Sequence, residues 1–77
     1  MDREALLRLA QQASQTIAEY TERISRQREH VEQLKPSGES DALQRAQRTL
    51  DQLIERQSRK ERALTRIQGK LMFSDRA

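Results

Sequence analysis

Residues 31–46 read VEQLKPSGESDALQRA, and they decide how the chain folds. On the left, Val31 and Leu34 stand three apart; on the right, Leu43 and Ala46 do the same. Between them lies KPSGES, residues 35–40, with both of the strong helix breakers. Pro36 disfavours helix at Lys35 and cannot extend the helix before it. Gly38 enters positive φ at little cost. Ser40 followed by Asp41 is an N-cap with an acid in the first turn, where the helix dipole favours negative charge.

Outward from the break, the apolar spacing is regular in both directions. Upstream, positions 6, 10, 13, 17, 20, 24, 27, 31 and 34 hold Leu, Ala, Ala, Ile, Tyr, Ile, Gln, Val and Leu. Downstream, positions 43, 46, 50, 53, 57, 60, 64, 67 and 71 hold Leu, Ala, Leu, Leu, Gln, Lys, Leu, Ile and Leu. Steps of three and four alternate without a slip, which is a heptad seam on each of two long helices. The first is expected over about residues 2–34 and the second over about 41–70, with the turn at 35–40 and a frayed tail at 71–77. So short a connection makes the helices antiparallel neighbours. The fold class is all-α, an antiparallel two-helix coiled-coil hairpin about 45–50 Å long at ~1.5 Å per residue.

The turn also sets the register. Leu34 is expected opposite Leu43, Val31 opposite Ala46, Gln27 opposite Leu50 and Ile24 opposite Leu53. Tyr20 then faces Gln57, within reach of a hydrogen bond, and Ile17 faces Lys60, whose methylenes lie over it. Further out, Ala13 faces Leu64, Ala10 faces Ile67 and Leu6 faces Leu71.

Composition agrees. The chain has 77 residues, of which 34% are hydrophobic, 3% aromatic and 35% charged. That is too little apolar material for a multilayer globule, and it matches long helices. No cysteine is present, so disulfides and thiolate metal sites are excluded. The start, MDREALLRLA, is acidic with an interrupted apolar run, unlike a signal peptide. No apolar stretch is long enough to span a membrane, and a cytoplasmic setting is expected.

A two-helix hairpin covers one side of each seam residue only, and a chain this small ordinarily needs a staple, a metal or a partner. Apolar residues beside the seam widen the stripe: Leu7 and Leu9 on the first helix, and Ala42, Ile54 and Ala63 on the second. A homodimer forming an antiparallel four-helix bundle is the architectural expectation, with a monomeric hairpin or completion by a different protein as the alternatives. At the C-terminal end, Gly69 is a candidate helix stop. Met72 and Phe73 are expected to pack on the bundle end or to form a docking tail.

Residues with chemical potential are few. His30 lies beside the seam without a second ligand at helical spacing, and reads as a boundary histidine rather than a metal or acid–base group. Gln27 and Gln57 are polar seam positions of the kind that fix register and oligomeric state; with Tyr20 and Ile54 they are the candidate interaction and register residues. Glu19–Arg23 and Glu22–Arg26 are spaced as i,i+4 pairs. No phosphate loop or nucleophile motif occurs, and no enzyme activity or cofactor is expected. Arg45, Arg48, Arg59, Arg62 and Arg66 fall on one outward face of the second helix, a candidate nucleic-acid face. With a net charge of only +3 and no aromatic interleaving, nucleic-acid binding ranks behind protein–protein contact.

The run ERISRQREHVEQL, then Gly38, then ALQRAQRTLDQLIERQSRKERAL resembles a group of short, uncharacterised proteins of soil and plant-associated proteobacteria. The shared positions are Ile24, Arg26, Gln27, Arg28, Val31, Leu34, Gly38, Ala46, Leu50 and Leu53. Members often carry His at the place of Arg23. The resemblance implies a small cytoplasmic helical protein and transfers no site. In architecture the chain is also similar to the plasmid Rop protein, a dimerising hairpin that binds RNA, although no motif is shared.

Overall fold

The computed structural model describes residues 2–38 and 40–75. Helix α1 runs Arg3–Leu34 and helix α2 runs Ser40–Asp75, joined by a single 3₁₀ turn at Lys35–Ser37. The two helices pack side by side as a rod measuring 59 × 14 × 14 Å.

Helix α1 starts where its chemistry requires. Asp2 is extended, and its carboxylate accepts from the Ala5 N–H at 2.7 Å while its carbonyl accepts from Leu6 N–H at 3.1 Å. The carboxylate satisfies one of the otherwise unpaired first-turn donors, and the carbonyl accepts the first bond of the helix. The helix ends at the expected residue. Pro36 enters the 3₁₀ turn at a position where no helical N–H is needed, and Gly38 follows at φ 73°. That left-handed conformation reverses the chain. Ser40 is already helical rather than the cap before the helix, and residue 39 lies outside the described residues.

Burial reproduces the seam position by position. Leu6, Ile24, Val31 and Ala46 are buried, and the other seam residues are half-buried, Lys60 alone being exposed. Among the described residues no side chain is buried completely. The seam is a narrow strip, with Ala5 and Thr16 on α1 and Ala42, Ile54, Ser58 and Ala63 on α2 half-buried beside it.

Two departures from expectation concern the far end. Helix α2 passes through Gly69 and continues to Asp75 instead of stopping near Lys70. Half-buried Ile67 and Leu71 hold that stretch on the seam, which outweighs the ~1 kcal/mol cost of a helical glycine. The extra turn accounts for a rod longer than 45–50 Å. Residues 76 and 77 of the expected tail lie outside the described residues. In the single hairpin Met72 and Phe73 are helical rather than part of a frayed tail, and they are exposed, at 63% and 74%.

Candidate interaction surfaces

Both seam glutamines bond from one helix to the other. Gln27 donates its amide to the Ala46 carbonyl at 3.0 Å. A helical carbonyl points towards its own C-terminus, so the Ala46 oxygen is turned towards Leu50 and lies within reach of a glutamine opposite Leu50. Gln57 donates to the Thr21 hydroxyl at 2.7 Å and to the Ile17 carbonyl at 3.3 Å. The Thr21 hydroxyl in turn donates to the same Ile17 carbonyl at 3.1 Å.

The expected partner of Gln57 was Tyr20. Its amide instead reaches the backbone one turn earlier and the neighbouring hydroxyl. Tyr20 is half-buried, and its ring lies under the Arg23 guanidinium, 5.7 Å from the centroid. Arg23 thus takes a cation–π contact where an ion pair with Glu19 was expected. Glu22 and Arg26 do pair, as do Glu32 with Lys35 and Glu55 with Arg59, the last two at 2.8 Å. All are exposed and contribute little stability.

Two open grooves flank the seam. One, of about 770 Å³, is lined by Thr21, Ser25, Arg28, Glu32 and Ile54 among others. Ile54 is half-buried there, its outer surface facing the groove. The other, of about 450 Å³, is lined by Gln27, His30, Ala42, Arg45 and Thr49. His30 is exposed. Among the described residues no three His, Asp or Glu side chains are placed to hold a metal ion. None of the described helices is long and apolar enough to cross a membrane.

Arg45, Arg48, Arg59, Arg62 and Arg66 are all exposed on α2. Their spacing keeps them within roughly a third of the helix circumference, turned away from the seam. Of the five, Arg59 holds a carboxylate, that of Glu55. Charge is unevenly shared: α1 has five arginines and five glutamates, whereas α2 has eight basic residues against five acidic ones. Residues 56–70 account for most of this, with six basic side chains and Glu61 as the sole acid.

The exposed large apolar residues were only partly foreseen. Leu7, Leu9, Met72 and Phe73 all lie at the open end of the hairpin, far from the turn. Leu7 and Leu9 stood out in the sequence as flanking the seam; the other two gained their place when α2 proved longer. No family model, curated protein or solved structure matches the chain.

Proposed function

We propose that the hairpin is a non-enzymatic self-association module, two copies of which complete a four-helix bundle in a cytoplasmic setting. What carries the reading is the surface the single hairpin leaves open. Its accessible area is 6135 Å². A compact monomer of 9.0 kDa would expose about 4,850 Å². The excess is about 1,300 Å² per copy, or roughly 2,600 Å² for two, which lies in the range that obligate homodimer interfaces bury. The four exposed apolar side chains at the open end and half-buried Ile54 are where covering that surface is most favourable.

Sedimentation equilibrium from micromolar to millimolar concentration tests this. A dimer whose melting temperature rises with concentration is the expected result. A monomer over the whole range overturns the proposal.

A second reading has one observation in its favour, the row of exposed arginines on α2 with a single neutralising carboxylate. Such a face suits the evenly spaced phosphates of a nucleic acid, which is how a Rop-like bundle would use it. It is compatible with self-association, because the arginines point away from the seam.

A further inference from the structure

The two open sides of the hairpin differ in chemistry. Ser25 and Ile54 share the larger groove. Leu7 lies eighteen residues before Ser25, and Met72 eighteen after Ile54, which is five full turns in each case. Both therefore stand on that same side, near the open end, and both are exposed. Between them run Gln11, Ser14 and Ala18 on α1 and Ser58, Thr65 and Gln68 on α2, with Glu61 the one charge. Towards the turn this side becomes charged, with Arg28, Glu32 and Asp51. The opposite side carries His30 and Arg45 in its groove, with Leu9 and Phe73, three and four heptads from them, exposed at its open end. Arg23, Arg56 and Lys70 occupy equivalent heptad positions further along it.

Resting on the self-association proposed above, we infer that the second copy docks on the side of the larger groove with both turns at the same end of the bundle. The two-fold axis then runs parallel to the rods. Helix α1 of each copy lies beside α2 of the other, at the same heights at which it meets its own α2. Leu7 meets Met72 of the second copy. Ile54 of the second copy faces the small side chains of Thr21 and Ser25. Arg28 faces Asp51 of the second copy.

The reverse arrangement, with turns at opposite ends, matches poorly. It sets α2 beside α2, bringing together the two helices that carry the basic excess. It also lays Leu7 at the height of Glu29 and Glu32. Small side chains along the shared side let helices approach closely in either case. The apolar ends and the charge pattern distinguish the two.

The chain has no cysteine, so Lys35→Cys gives a unique attachment site for a nitroxide at the turn. Pulsed dipolar spectroscopy on the full chain then reads the turn-to-turn distance. We expect about 20–30 Å, the separation of neighbouring bundle helices plus the label arms. A distance approaching the 59 Å length of the rod overturns this arrangement and leaves self-association standing. Absence of any intermolecular distance at millimolar concentration removes both. As a second reading of the same contact, Arg28→Asp weakens the dimer about fivefold, and adding Asp51→Arg to that chain restores it. Failure of the double variant to recover also overturns the arrangement.

Discussion

The side-chain amide of Gln27 donates to the main-chain carbonyl of Ala46, 3.0 Å away across the seam. That carbonyl already accepts the α-helical N–H of Leu50, so the glutamine takes up a lone pair that would otherwise be spare. Nothing is orphaned if the amide is removed. The bond therefore specifies where the helices meet more than how strongly they hold.

Substitution at position 27 separates the two roles. Gln27→Leu fills the seam with an apolar side chain and is expected to match or exceed the parent in urea-denaturation midpoint. Gln27→Ala loses both bond and packing and is expected to cost about 1–2 kcal/mol. If the Leu variant were less stable than the parent, the bond would be contributing stability as well as register.

Ile24 is 6% exposed, between the two glutamine cross-links. Ile24→Ala is expected to cost about 2–3 kcal/mol, the lower part of the range for buried aliphatic truncations, because the seam is narrow and can collapse. Ile24→Asp places a carboxylate in the same layer and should abolish the folded hairpin. Circular dichroism at 222 nm with a thermal ramp reads both; unchanged helicity in the Asp variant would contradict the seam.

The two glycines respond to alanine with opposite signs. Gly38 has φ 73°, so Gly38→Ala introduces left-handed strain of about 1 kcal/mol even though the space around it is open. Gly69 sits inside α2 with nothing within 4 Å of the added methyl, so Gly69→Ala is expected to stabilise the C-terminal turns by about 0.5–1 kcal/mol. Melting temperatures of the two single variants check this directly.

The arginine face has its own test. Arg59→Glu with Arg62→Glu reverses charge on an exposed surface and leaves the seam alone. If the face binds RNA or DNA, affinity measured at low salt falls sharply in the double variant and in the parent at raised salt. Binding indifferent to both changes, or none at all, removes the nucleic-acid reading.

Much of the hairpin was legible because its seam is a period and its turn is two residues with unusual backbone preferences. Leu6 to Leu34 and Leu43 to Leu71 could be placed without knowing any side-chain conformation. The details that escaped depend on direction as well as position. Gln57 sits level with Tyr20 yet bonds Ile17 and Thr21, because a long amide can reach a carbonyl one turn back. Arg23 has a carboxylate four residues away and a ring three away, and spacing does not rank those choices. The extension past Gly69 reflects tertiary contact at Leu71 overriding local propensity. The chemistry of the two sides was present in the residues from the start, but it became visible only when Thr21, Ser25 and Ile54 were seen to share one groove.

Because each layer of the seam pairs residues at matching heights, the chain's length is quantised. Removing residues 10–16 alone would shear every layer beyond the cut. Removing 10–16 together with 61–67 withdraws one repeat from both helices and shortens the rod by about 10 Å. Both amide cross-links and the Gly38 turn remain where they are. Tolerated changes of length in this hairpin come as matched sevens.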